Sequence, residues 1–276
     1  MKMITAFMFI LLSTTSIHAG LWSAEVSGES ESNLEIMTQA IPSENRATQD
    51  SNVINLLVWN VYKAGKSDFL KEHKNILAQF NPDISMYQEA LFSKSSTLCL
   101  QESDCALACS FSYEDDGELD YTGVMTSSRY PTLSSFALHS NSREPILSTP
   151  KSTLISKVQI ADIELLLVNT HGINFVSVFA FESQMTEIEE SIRDFDGPIV
   201  WGGDFNTWAV GRMQILKRTL KRLDMIDTDF KDDHFIKKAL GRKLDHVFTR
   251  GVQVLEAQAI ESSGSDHNPL FLKLSL

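Results

Sequence analysis

From Val53 onward the chain alternates short apolar runs with longer segments of helical period. Eight runs are rich in Val, Ile, Leu, Phe and Thr and read as strands: Val53–Trp59, Ile84–Tyr87, Gly123–Ser127, Ser152–Val158, Ile163–Asn169, Pro198–Trp201, His246–Thr249 and Pro269–Leu274. Ser67–Gln79, Phe181–Asp194 and Arg212–Leu223 carry the helical pattern. In the third, Met213, Leu216, Leu220 and Leu223 share one face, with Lys217, Arg218, Lys221 and Arg222 largely on the other. Strands interspersed with helices predict an α/β (α+β) fold of two packed sheets with helices outside.

The first 52 residues lack this pattern. Lys2, the apolar run Ile4–Leu12, a serine- and threonine-rich stretch and a cut after Ala19 describe a cleaved export leader over residues 1–19. The run is short for a membrane span, although Ile17 is large for a cleavage site and a retained anchor is the alternative. Residues 20–52, polar and aperiodic, read as a flexible linker, which leaves 53–276 as one catalytic domain. The expected location is therefore periplasmic or secreted, as a monomer without stable membrane insertion. Cys99, Cys105 and Cys109 lie close together, and an oxidising compartment favours one disulfide and an odd thiol; a zinc site lacks both paired spacing and a nearby His.

Charge narrows the partners. A net charge of -12 excludes a uniformly basic nucleic-acid binder. The stretch Trp208–Lys243 nevertheless holds ten Lys/Arg against five Asp, so a phosphate-bearing partner, nucleic acid included, remains compatible. For a lipid substrate the only membrane-dipping candidates are Trp208 and Phe179-Ala180-Phe181. There is no Gly-x-Ser-x-Gly elbow, no phosphate-binding P-loop and no His-Glu-x-x-His helix.

Strand after strand meets a chemically able residue at its end. Trp59-Asn60, Gln88-Glu89, Thr170-His171 and Gly203-Asp204-Phe205-Asn206 close strands; Asp245 and Asp266-His267 precede the last two. Unpaired carboxylates are costly inside a core, but at strand ends they can gather in one cleft on a rigid scaffold. Glu89 and Asp266 suit a hard cation such as Mg²⁺, with Asn60 orienting Glu89 or binding the metal weakly. Two glycines allow a tight turn that presents Asp204 to accept a proton from water and Asn206 to donate to a phosphoryl oxygen, or that simply forms an Asx-turn. His171 and His267 suit proton transfer, and Asp245 can hold one imidazole in the needed tautomer. His246 follows Asp245, but strand alternation turns it away. His18, His73, His139 and His234 have no partner motif and are expected to be solvated.

In order, these six motifs resemble the endonuclease/exonuclease/phosphatase superfamily, which includes DNase I and sphingomyelinases. Gly123-Val124-Met125-Thr126, His171-Gly172-Ile173-Asn174-Phe175 and Gly241-Arg242-Lys243-Leu244-Asp245 are similar to its bacterial YafD-like subgroup. The resemblance spans about residues 53–276. It implies a four-layer αββα sandwich of two mixed sheets and metal-dependent hydrolysis of a phosphodiester with Mg²⁺ or Mn²⁺. Glu89 would then be the metal ligand, assisted by Asn60 and Asp266. Asp204 would orient or deprotonate water, Asn206 would hold phosphate, and His267 paired with Asp245 would bind the scissile phosphate or act as base. His171 would protonate the leaving oxygen. Thr170-His171 argues against an abasic-site repair enzyme. The acidic stretch Glu114–Asp120, in place of ordered basic residues after Glu89, argues against duplex DNA.

Overall fold

The computed structural model describes residues 23–24, 36–39, 52–91, 98–115, 118–145 and 148–276. The expected leader lies outside them. In chain order the elements are β1 (Ser23–Ala24), β2 (Ile36–Gln39), β3 (Val53–Asn60), α1 (Phe69–Phe80), β4 (Ile84–Leu91), β5 (Asp104–Asp115), β6 (Glu118–Ser128) and β7 (Thr132–His139). They continue as β8 (Ser152–Ile160), β9 (Ile163–His171), α2 (Val178–Ile192), β10 (Ile199–Asp204), α3 (Val210–Arg222), β11 (Ile226–Asp227) and β12 (Lys238–Ala239). The last four are β13 (Arg242–Lys243), β14 (Asp245–Arg250), β15 (Gln253–Ala259) and β16 (Leu270–Ser275).

Period-two patterning builds two large sheets, beside the short pair β12–β13. One has the order β1-β2-β5-β6-β4-β3-β16-β15, the other β11-β14-β10-β9-β8-β7. Each is mixed: β3 runs parallel to β4, and β10 parallel to β9, while their other neighbours are antiparallel. Along β3, Ile54, Leu56 and Val58 face the other sheet, and Leu57 and Trp59 pack with Phe69 and Ile76 of α1. Along β9, Leu165 and Leu167 enter the inter-sheet core, whereas Leu166 and Val168 meet Phe181 and Met185 of α2 and Leu216 of α3. Alternate side chains thus fill three apolar layers, and the result is the α/β/β/α sandwich.

All eight expected strands form, most of them longer than expected by one to six residues, with β10 and β16 starting one residue late, after Pro198 and Pro269. Three long strands, β5, β7 and β15, carry no legible strand pattern. β7 and β15 are sheet edges, where one face meets water and the apolar demand is halved. β5 is buried on both faces over residues 104–109, but largely as Cys and Ala, which carry little strand signal. Within the stretch expected as a linker, β2 pairs antiparallel with β5 and β1 with β2; backbone bonding to an open edge needs no apolar period.

Cys99 and Cys105 form the disulfide, and Cys109 is free inside the core, where burial pushes its thiol up to about 12. Two histidines expected to be solvated are not. His73 is buried with its Nε2 2.8 Å from the Tyr87 hydroxyl, because α1 turns it toward β4. His139 is half-buried, 2.5 Å from the Cys109 carbonyl oxygen. His234 is exposed, and His18 lies outside the described residues.

Candidate active site

Sheet register aligns three of the expected side chains. Asp204, the last residue of β10, pairs with His171 of β9 on one side and Asp245 of β14 on the other. Gly203 makes this possible. Its φ is +144°, and a Cβ there would lie 2.0 Å from the Thr170 carbonyl oxygen. Gly172, just after the neighbouring strand β9, does the same from its side, since its Cβ would come within 2.6 Å of the Phe205 carbonyl oxygen. The two turns can therefore stack. Asn206 locks them: its backbone N–H donates to Asp204 Oδ1 at 2.9 Å, the Asx-turn, and its amide donates to Gly172 O at 3.0 Å.

The other sheet supplies the facing wall. Trp59 Nε1 donates to the His267 carbonyl at 2.8 Å, and Ser265 Oγ to the Asn60 carbonyl at 2.7 Å, so the loop before β16 is tied to the end of β3. His267 is thereby delivered across the sandwich to Asp245. Its Nδ1 lies 2.9 Å from both Asp245 oxygens. In β4 the pairing with β6 shifts between Tyr87 and Ala90, and Glu89 has φ +51°. Such a bulge re-aims a side chain, and Glu89 lines the cavity. Beneath it, Gln88 Nε2 donates to Asn169 Oδ1 at 2.7 Å, and Asn169 Nδ2 donates to the Met125 carbonyl at 2.8 Å. This buried amide pair staples the two sheets just under the site.

Asp204 Oδ2 is the hub. Asn60 Nδ2 donates to it at 3.1 Å, while His171 Nε2 and His267 Nε2 approach to 3.6 and 3.8 Å. Asn60 therefore faces Asp204, and its Oδ1 accepts the Tyr62 N–H at 3.1 Å; it does not reach Glu89 by any hydrogen bond among the described residues. Burial, with the Asp245 charge, raises the Asp204 carboxyl to about 7 against the opposing pull of His267. Burial works against a charge on His267, but Asp245 and then Asp204 outweigh it and lift the imidazole to about 10. His171 goes the other way: burial, then Lys151, holds it well below its ordinary value, so it is neutral at pH 7. Burial opposes ionisation of Glu89 too, yet neighbouring positive charge, with His171 neutral that of Lys63 and Lys151, holds its carboxyl below the ordinary range.

These groups surround a cavity of about 260 Å³ lined by Glu89, His171, Asp204, Asn206, Asp266 and His267. Asn60 and Asp245 stand behind the wall. His246, as expected, points away, with Nε2 2.8 Å from Thr207 Oγ1 and its ring against Phe205 and Phe248. Sequence reasoning missed three cations. Lys151 and Lys237 line the cavity, the latter bonded to Asp266 Oδ2 at 3.3 Å, and the Lys63 ammonium is bonded to Glu89. Lys63 follows the Asn60 motif by three residues and Lys151 immediately precedes β8, so strand-end position was an available signal for both. Lys237 comes from an irregular segment and gave none.

The chemistry of the donor set fits a divalent ion. Asp204, Asp245 and His267 offer atoms within 4.8 Å of one another, but the Asp245–His267 bond already engages two of these groups. Glu89 and Asp266 remain as hard oxygen donors on the cavity, and Glu89 already holds a cation, the Lys63 ammonium.

Carboxylates for a cation and lysines for an anion, on the rim of a two-sheet sandwich, suit a phosphate ester. The chain belongs to the endonuclease/exonuclease/phosphatase family, whose model matches residues 57–267, and members of this family are generally phosphoester hydrolases. Within it the chain falls in the YafD-like subgroup. A UPF0294 protein of Vibrio parahaemolyticus is 32% identical over 235 residues, covering 84% of this chain and 81% of the relative. The fold is shared with an endonuclease/exonuclease/phosphatase from Beutenbergia cavernae at TM-score 0.62 and 15% identity, covering 81% of this chain and 72% of that one. Danio rerio TDP2, complexed with a single-strand DNA product, matches at TM-score 0.56 and 15% identity over 81% and 99% of the two chains.

Proposed function

We propose that the chain is an exported, divalent-metal-dependent phosphodiesterase in which water attacks the phosphorus in line. The observation that carries this reading is the Asp204 Oδ2 hub, one carboxylate oxygen between Asn60 and two imidazoles on the cavity wall. A carboxyl near pH 7 is matched to taking a proton from water, and Asn60 and the Asn206 N–H fix its orientation. His267, kept charged by Asp245, stabilises negative charge growing on the phosphoryl oxygens. The Asn206 amide has a second hydrogen for the same oxygens, and Lys151 and Lys237 attract the diester. Neutral His171 presents an N–H to the leaving oxygen. Glu89 and Asp266 would hold Mg²⁺ or Mn²⁺, which would supply Lewis-acid charge there.

For the substrate we infer a nucleic-acid strand first, on the exposed basic face of α3 and the likeness of fold to a protein holding a single-strand DNA product. Arg218 and Arg222 on that face are already paired with Glu182 and Glu189 of α2, at 2.8 and 2.5 Å, which reduces its free charge. An amphiphilic phosphodiester is the second reading. Phe175, on the cavity lip, and Val178, Phe179 and Val210 beside it are 65, 41, 81 and 52% exposed, whereas Phe181 is buried. Export follows from the leader pattern of residues 1–19.

The test is a screen of single-stranded DNA, duplex DNA, RNA, phosphoinositides and sphingomyelin with Mg²⁺ or Mn²⁺, repeated in excess chelator. Turnover of one class that chelation abolishes supports the reading. Full turnover in chelator overturns it.

A further inference from the structure

Between Asn60 and α1 the backbone does something unusual. Tyr62, Lys63 and Ala64 follow one another in the left-handed region, with φ of 48, 54 and 54°. Each side-chain-bearing residue there costs about 1 kcal/mol or more, so such a run persists only where its surroundings over-determine it. They do so here. Val61 N–H donates to the Gln88 carbonyl at 2.9 Å, Tyr62 N–H to Asn60 Oδ1 at 3.1 Å, and Ala64 N–H to the Val61 carbonyl at 2.8 Å. The turn is thus fixed to β4 beside the bulge that aims Glu89.

Its outcome is a contact between the Lys63 ammonium and Glu89 Oε2, with the lysine side chain 36% exposed and the glutamate 18%. An ammonium on the carboxylate expected to hold a divalent ion stands in for that ion. One oxygen cannot keep a short bond to both, since metal and ammonium repel each other at contact.

We propose that Lys63 is the resident cation of the metal site, and that a divalent ion binds Glu89 by exchange against it. Lys63 then sets the affinity of the site: the ion must displace an ammonium that a rigid turn returns to the same place. This inference rests on Glu89 being the metal ligand.

Mn²⁺ titration of the full chain, without substrate, separates the two ideas, with free Mn²⁺ read by its electron paramagnetic resonance signal. Lys63→Met removes the charge and keeps the stem; it should tighten Mn²⁺ binding by at least about tenfold, the worth of one charge-assisted pair. Lys63→Arg should stay within about twofold of the parent, a change of about 0.4 kcal/mol. Glu89→Gln should weaken binding, and unchanged affinity in that variant would remove the metal reading itself. Equal or weaker binding by Lys63→Met, with Glu89→Gln weakened, overturns the exchange alone. The parent chain offers a second readout that no folding defect can confuse. Reductive methylation followed by mass spectrometry should label Lys63 faster with saturating Mn²⁺ than without it, and an unchanged rate also overturns the proposal.

Discussion

His267 Nδ1 stands 2.9 Å from both carboxylate oxygens of Asp245, across the sandwich and 22 residues away in sequence. That bond fixes the proton on Nδ1, turns Nε2 toward Asp204, and keeps the imidazole charged. Asp245→Asn should therefore act through His267. We expect turnover of a nitrophenyl phosphodiester to fall by about 10²–10⁴ with the fold retained. The double variant with His267→Ala should be no worse than His267→Ala alone. Additive losses in that cycle would mean the two residues work separately.

His171 poses a different case, because burial and Lys151 keep it neutral where the resemblance asks for an acid. A neutral imidazole stabilises a leaving oxygen through its N–H. His171→Ala should then cost about 10² on an alkyl diester and much less on a nitrophenyl ester, whose phenolate leaves unaided. His171→Gln, which keeps an N–H donor, should recover part of the alkyl rate. Equal losses on both esters would place His171 on the phosphate instead.

Gly203 carries a stability prediction. A Cβ 2.0 Å from the Thr170 carbonyl oxygen, at φ +144°, cannot be relieved by moving a side chain, since the obstacle is backbone. Gly203→Ala should lower unfolding stability by at least about 3 kcal/mol. Gly241→Ala, with φ +76° and nothing within 4 Å, should cost only about 1 kcal/mol. Urea midpoints measure both, and similar shifts for the two would refute the close-approach argument.

The acid limb of stability should belong to buried histidines. Burial pulls His73 and His246 down to about 4, whereas an unfolded chain holds them at about 6.5. Between about 6.5 and 4 the unfolded chain binds more protons, so stability rises with pH through that window. The contribution is complete above 6.5 and lost toward 4, about 3 kcal/mol at most for each residue. His267 has the opposite sign: raised to about 10, its contribution is complete below 6.5 and fades as pH climbs through 10. His73→Phe, packed against Trp59 and Phe69, should flatten stability against pH between 4 and 6.5. The slope is the readout, and an unchanged slope would clear His73.

The central strands and the site's inventory were legible because core strands must be apolar and their ends need not be. Asp204, His171 and Asp245 could be named from strand ends, and register then placed them side by side. What could not be read was direction. Asn60 turns to Asp204 because Tyr62 N–H takes its Oδ1, a contact set by a left-handed turn that leaves no mark in the sequence. The aim of Lys63 was illegible for the same reason, although its place beside a strand end was not, as that aim comes from φ values that residues of its type rarely adopt. His73 looked solvated because one imidazole on a polar-seeming helix carries no sign of the Tyr87 hydroxyl awaiting it from β4. The edge strands β7 and β15 were hidden by ordinary surface composition.

The basic face of α3 looked uniform in sequence, but the structure divides it. Arg218 and Arg222 are paired with Glu182 and Glu189, while Lys217 and Lys221 are exposed on the same helix. A cation already neutralised by a glutamate cannot release counterions from a polynucleotide, so the two pairs should respond differently to salt. If a single strand follows this face, log K should fall with log salt by about 0.7 for each neutralised phosphate. Lys217→Gln with Lys221→Gln should then weaken cleavage of single-stranded DNA or RNA and make the salt dependence shallower by about 1.4. Arg218→Gln with Arg222→Gln should loosen the contact between α2 and α3 and lower the melting temperature, yet leave the salt slope where it was. A small nitrophenyl phosphodiester, too short to reach α3, serves as the control and should be cleaved equally by all variants. Identical salt curves for the parent and the lysine pair would take the strand off α3. The apolar lip at Phe175 and Phe179 would then lead, and cleavage of sphingomyelin in vesicles should fall in Phe179→Ser while the nitrophenyl diester is untouched.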